Sequence, residues 1–158
     1  MEVSSLRAII STKQKGMNKS EGTFITVETT INAPLQKVWN CWTEPQHIIN
    51  WNFASDDWHS PNAENDLRAG GRFVYRMEAK DGSFGFDFSG SYDIVEEDVL
   101  IEYTMDDGRK ATIKFTAEND VTKIVETFQA EQTNSIELQR NGWQAILNNF
   151  KKYVEEAK

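Results

Sequence analysis

The chain has 158 residues, 17 Lys plus Arg against 25 Asp plus Glu, a formal net charge of −8 and a sequence pI near 4.8. A field of that sign repels polyanions, which argues against a general nucleic-acid binder and against adsorption to an anionic membrane face. A single cysteine, Cys41, rules out an intramolecular disulfide and fits a reducing, cytoplasmic setting. The apolar runs are far shorter than the ~20 residues a membrane helix needs, so no membrane insertion is expected.

Residues 1–22 hold Arg7, Lys13, Lys15 and Lys19 against Glu2 and Glu21, so this stretch is +2 and the remaining 136 residues are −10. Its apolar group, Leu6, Ala8, Ile9 and Ile10, is too short for a secretory h-region. It reads as a flexible N-terminal tail, with Met17 an alternative start. One domain is expected over residues 23–158, and a domain of this size buries roughly 68–70% of its unfolded surface.

From Thr23, Ile25, Val27, Thr29 and Ile31 alternate with polar residues and predict a strand. Asn32 or Ala33 as N-cap with Pro34 in the first turn starts a helix, and Leu35, Val38, Trp39 and Trp42 recur at helical spacing. Thr43-Glu44-Pro45 restarts a second short helix carrying Ile48, Ile49 and Trp51. Ser55 to Asn65 reads as irregular and polar. Antiparallel hairpins follow: strands Arg72–Ala79, Phe84–Val95, Val99–Met105, Lys110–Ala117 and Val121–Gln129, joined by short turns rich in Asp, Asn and Gly. In the long second strand of this set, Phe84, Phe86, Phe88, Tyr92 and Ile94 are placed on one face, with Gly85 and Gly90 permitting a bend. Asn134 with Glu137 forms a capping box for a last helix whose apolar stripe is Ile136, Trp143, Ile146, Leu147, Phe150 and Val154. At 1.5 Å per residue this helix is about 34 Å long, which matches the ~36 Å of the long strand. The fold class expected is α+β: a curved antiparallel sheet wrapped around a long C-terminal helix, with two short helices after the first strand.

The run Ile31-Asn32-Ala33-Pro34, followed by Val38-Trp39, Trp42-Thr43-Glu44-Pro45 and Trp51, resembles the opening of START-like helix-grip proteins. Asp66-Leu67-Arg68-Ala69-Gly70-Gly71-Arg72-Phe73, then Gly90-Ser91-Tyr92, Gly142-Trp143 and Phe150-Lys151-Lys152-Tyr153 resemble the branch named for the activator of heat-shock-protein ATPase, over about Thr23 to Lys158. The resemblance implies a single domain with a cavity between helix and sheet. It also implies a small-molecule ligand or a chaperone as partner, although the further chaperone-binding domain of the eukaryotic co-chaperone has no counterpart here.

Five tryptophans are present, and Trp39, Trp42, Trp51 and Trp58 fall within twenty positions. Trp39 and Trp42 read as core, whereas Trp51 and Trp58 border the irregular stretch, where core and cavity mouth are equally compatible with the pattern. Tyr75, Tyr92 and Tyr103 fall on strands and supply hydrogen-bonding tips to an apolar interior. Arg72, Val74, Arg76 and Glu78 share a strand face whose simplest reading is solvated; the alternative aims Arg76 into the cavity at a ligand carboxylate. His47 and His59 lack a zinc spacing, so no metal or other cofactor is expected, and acid–base work by His59 with an Asp is a minor reading. Cys41 reads as a small buried hydrophobe, Gly70-Gly71 as tight backbone geometry ahead of a strand, and the acidic turns 96–98 and 106–107 as solvated. No catalytic residue is assigned.

The function expected is a cytoplasmic binding module for a small apolar or amphipathic molecule. Its expected ligand-binding residues are Trp51, Tyr75, Phe86, Phe88, Tyr92, Tyr103, Trp143, Leu147 and Phe150. A chaperone-associated interaction protein and a cyclase- or hydrolase-like enzyme are the alternatives.

Overall fold

The computed structural model describes residues 22–157. The tail expected over 1–22 lies, apart from Gly22, outside the described residues. In chain order the elements are β1 (Phe24–Ile31), α1 (Leu35–Thr43), α2 (Pro45–Ile48), β2 (Trp58–Asn65), β3 (Arg72–Ala79), β4 (Gly85–Glu96), β5 (Leu100–Met105), β6 (Lys110–Glu118), β7 (Val121–Gln129) and α3 (Ile136–Glu156). The seven strands form one antiparallel sheet in the order β1-β7-β6-β5-β4-β3-β2. Five of its six pairings join strands consecutive in sequence, as short hairpin connections favour. The exception is β1, which pairs with β7 and places the N-terminal strand at the edge beside α3. The α+β helix-grip architecture expected from the sequence is the one observed.

Alternation decides which face of each strand is buried. Ile25, Val27 and Ile31 of β1, Ile113 and Phe115 of β6, and Ile124 and Phe128 of β7 point inward and are at most 5% exposed. Leu147, Phe150 and Val154 of α3 are at most 1% exposed and press onto them, each contributing roughly 1.5–3 kcal/mol by leaving water. Val38, Trp39 and Cys41 of α1 and Ile48 of α2 close the same core, and Trp39 meets Phe115 edge-on at 5.1 Å.

Several local expectations are corrected. The stretch read as irregular contains β2, an edge strand paired only with β3; Pro61 falls at its register shift between His59 and Asn62, where the ladder is interrupted in any case. Its sequence, Trp58 to Asn65, has no apolar alternation because neither of its faces is deeply buried and its one buried residue is Ser60. The first helix is capped by Pro34 itself, in extended conformation, and not by Asn32 or Ala33. The last helix is capped by Ser135, whose Oγ accepts from the Leu138 N–H, while Asn134 instead donates to the Glu131 carboxylate. Buried Gln139 completes that turn, accepting from the Glu131 N–H and donating to the Glu131 and Asn134 carbonyls. Ile136 precedes the apolar stripe and is 37% exposed.

On β4 the expected single face is broken. A register shift between Tyr92 and Ile94 turns Ile94 outward and lets Val95 pack on the core, and Phe84 lies in the β3–β4 turn, 61% exposed. At Gly90 neighbouring strands approach closely: a Cβ would lie 2.5 Å from the Thr104 carbonyl and 3.0 Å from the Phe73 ring.

Candidate functional site

A hollow of about 240 Å³ remains between the first half of α3 and the middle strands of the sheet. Trp143 and Ile146 come from α3, Phe73, Tyr75 and Met77 from β3, and Phe86, Phe88 and Tyr92 from β4. Ile101 and Tyr103 of β5, Arg109 just ahead of β6 and Glu126 of β7 complete the sheet side, while Trp42, Trp51 and Asn52 close the end near α1 and α2. The hollow adjoins the tightly packed region around Leu147, Phe150 and Val154. Phe86 both lines it and is 39% exposed, so that end reaches the surface, where Phe84 and Trp58 each lie 6.1 Å from its ring.

Seven of the nine residues singled out from the sequence line the hollow: Trp51, Tyr75, Phe86, Phe88, Tyr92, Tyr103 and Trp143. Leu147 and Phe150 belong to the core beside it, at 1% and 0% exposure. Of the two tryptophans bordering the irregular stretch, Trp51 lines the hollow and donates its Nε1 proton to the Cys41 carbonyl, whereas Trp58 sits outside it, against Phe84 and the rim residue Phe86. Trp42, read as core, lines the wall and packs against Trp51 and Phe150.

The three tyrosine hydroxyls differ in their partners. Tyr92 donates to Asn65 Oδ1 at 2.5 Å and lies 3.4 Å from the Tyr75 hydroxyl; Asn65 in turn donates to the Thr43 carbonyl, which ties this wall to the end of α1. Burial pushes the Tyr92 phenol up to about 12 and raises those of Tyr75 and Tyr103 well above the ordinary value, so all three are neutral. The Tyr103 hydroxyl has no hydrogen-bond partner among the described residues.

Glu126 is the acidic residue that sequence reasoning missed. It is 6% exposed and lines the hollow. Its register partners on the two neighbouring strands are Val27 and Ile113, both buried and apolar, so neither side of the sheet offers a hydrogen bond or a countercharge. Burial pushes its carboxyl up to about 8. The signal was in the strand pattern: Thr122, Ile124, Glu126 and Phe128 alternate inward, so a carboxyl occupies an otherwise apolar face. Asn52, also 6% exposed, leaves its Nδ2 without an acceptor among the described residues.

The charged strand face is on the outside of the sheet. Arg76 bonds Glu78 at 2.9 Å and Asp87 at 3.4 Å, which corrects the reading that aimed it into the cavity. Arg72 makes a two-pronged contact with Asp106, so that turn carboxylate is paired and its carboxyl is lowered to about 2, chiefly by the Arg72 hydrogen bonds. His59 lies on β2, 3.5 Å from Glu78 and away from the lining, and His47 Nδ1 lies 2.7 Å from the Tyr153 hydroxyl. No group of three or more His, Cys, Asp or Glu that could hold a metal occurs among the described residues. Cys41 is buried and its thiol is raised by burial, which suits a packing role. No helix among the described residues is long and apolar enough to cross a membrane.

A long helix gripped by a curved antiparallel sheet over an aromatic hollow defines a START-like helix-grip domain. Within that superfamily the chain belongs to the family described as Activator of Hsp90 ATPase homolog 1-like protein, whose family model matches residues 32–155. It is similar to the AHSA1-like protein of Aeromonas hydrophila, known from a solution structure, at 44% identity over 85% of this chain and 94% of that one, TM-score 0.81. It is also similar to a Cytophaga hutchinsonii protein at 58% identity over 83% and 91% of the two chains, TM-score 0.73. A Nitrosomonas europaea protein, 17% identical over 89% and 97%, TM-score 0.73, shares the fold. No curated protein matches the chain.

Proposed function

We propose that this chain is a binding module that holds a compact amphipathic molecule in the hollow beneath α3. The observation that carries the reading is the lining itself: mostly aromatic and aliphatic walls around a few polar tips, the composition by which small-molecule sites combine affinity with orientation. Its size selects the ligand class. A cavity of about 150 Å³ takes benzene, and ligand sites for drug-sized molecules run to roughly 300–1,000 Å³. At about 240 Å³, one ring with a polar substituent fits and a long acyl chain or a sterol does not.

The test is native mass spectrometry of protein drawn from a cell extract, followed by tryptophan fluorescence, since Trp42, Trp51 and Trp143 line the hollow. A co-purifying small molecule, lost when Ile146→Trp fills the space, is the expected result. Native masses without adducts, together with unchanged fluorescence and amide shifts across a set of one-ring compounds, would overturn it.

Family membership favours a second reading, association with a chaperone ATPase. It predicts co-elution with the chaperone and an altered ATPase rate, and neither effect would be seen if the chain acts alone. An enzyme built on His59 has no support, because that side chain lies outside the hollow.

A further inference from the structure

We propose that Tyr103 and Glu126 form a paired hydrogen-bond donor site in the wall of the hollow that recognises the carbonyl oxygen of an uncharged one-ring ligand, such as an aromatic ketone, aldehyde or ester. This rests on the binding reading above and names the ligand chemistry that the same cavity selects.

Both groups line the hollow, from β5 and β7 on either side of β6. The inward residues of β6 between them are Ala111 and Ile113, which leave Tyr103 and Glu126 as the polar groups of that stretch of wall. The Tyr103 phenol is raised first by burial and then by Glu126, and neither group makes a hydrogen bond among the described residues. A nine-tenths buried carboxyl and a buried phenol that lack partners of their own have hydrogen-bonding capacity directed at whatever fills the space.

The charge state determines the kind of atom that fits. Glu126 is held neutral at pH 7 by burial, and a neutral carboxyl donates one hydrogen bond, as does the Tyr103 hydroxyl. Two donors lining one apolar hollow suit an acceptor oxygen with two lone pairs, and a carboxylic acid kept neutral beside a tyrosine is a known way to hold such an oxygen. The other titratable or charged groups around the hollow do not change this. Tyr75 and Tyr92 face each other, and Tyr92 donates to Asn65. The Arg109 guanidinium is held by the Asp107 carboxylate at 2.8 Å and by the Gln129 carbonyl at 3.1 Å. The helix contributes only Trp143 and Ile146, and β1 contributes Val27 beside Glu126. A carboxylate ligand would have to compete with Asp107 for Arg109, the one cation in the lining, and an ammonium ligand would need Glu126 to ionise inside a nonpolar enclosure.

The experiment compares three probes of one shape on the full chain at pH 6.5: acetophenone, ethylbenzene and 1-phenylethylammonium, with affinities from amide shift titrations. The expected result is acetophenone binding on the order of tenfold more tightly than ethylbenzene, the size expected of one to two net hydrogen bonds. That preference is lost in Glu126→Met, reduced in Tyr103→Phe and retained in Glu126→Gln, whose amide still donates. Above pH 8, where the Glu126 carboxyl ionises, the preference declines in the parent protein but not in Glu126→Gln. Tighter binding of the ammonium probe, or a ketone preference unchanged in both Glu126→Met and Tyr103→Phe, overturns this proposal while leaving the binding module intact. Failure of all three probes, ethylbenzene included, overturns the binding reading and this proposal together.

Discussion

The indole of Trp143 lies flat on the ring of Phe128, with centroids 3.8 Å apart and planes 8° from parallel. This contact fastens the first half of α3 to the end of β7 and sets the height of the helix above the hollow, because Trp143 also meets Phe88 across it at 6.1 Å. Trp143→Ala removes both contacts and is expected to cost about 3 kcal/mol in urea unfolding, the low end for a large aromatic because the side chain is only partly buried. Trp143→Phe keeps the stacking surface and should retain most of the stability. Equal unfolding midpoints for the parent and the alanine variant would show that the stack does not hold the helix.

Glu126 makes stability depend on pH in the direction opposite to most carboxylates. Its folded-state value, about 8, lies above the ordinary 4.5, so the folded protein binds one proton more than the unfolded chain between those values. Stability from this group is therefore fully present below pH 4.5 and declines as pH rises to 8. The total is of the order of a few kcal/mol. Urea unfolding at pH 5 and pH 8 is expected to show Glu126→Gln close to the parent at the lower pH and distinctly more stable at the higher. A difference that does not change with pH would refute the assignment.

Asp106 behaves in the usual sense. Its carboxyl, lowered to about 2 chiefly by the Arg72 hydrogen bonds and also by the Ser89 hydroxyl, stabilises the fold above the ordinary 3.8, and this contribution is lost as pH falls through 2. In Arg72→Ala the Asp106 carboxyl should titrate nearer its ordinary value, read by carboxyl carbon shifts, and the change should shrink at high salt because the pair is exposed.

Two glycines should respond oppositely to alanine. At Gly90 a Cβ would fall against the Thr104 carbonyl and the Phe73 ring, so Gly90→Ala is expected to cost about 1–3 kcal/mol by overpacking. At Gly142, inside α3, nothing lies within 4 Å of the added methyl, and Gly142→Ala is expected to gain about 0.5–1 kcal/mol of helix stability. Thermal unfolding of the two variants side by side checks both signs.

Periodicity by itself determined most of the frame. β1 and β7 alternate cleanly because each has one buried face, and the α1 and α3 stripes recur at helical spacing because both helices lie on the sheet. β2 escaped because an edge strand containing Pro61 carries no such alternation, and Ile94 was misplaced because a bulge reverses every side chain beyond it without any mark in composition. The hollow was half legible: the aromatics of β3, β4 and β5 pointed to it, but whether Leu147 and Phe150 face it or fill the core depends on how α3 seats against the sheet. Glu126 marks that boundary most sharply. Its place on an inward face follows from the alternation in Val121–Gln129, but its lack of a partner follows only from tertiary structure. Strand pairing brings Val27, 99 positions earlier, to one side of it and Ile113 to the other, and no short-range pattern specifies what two distant strands set beside a carboxyl.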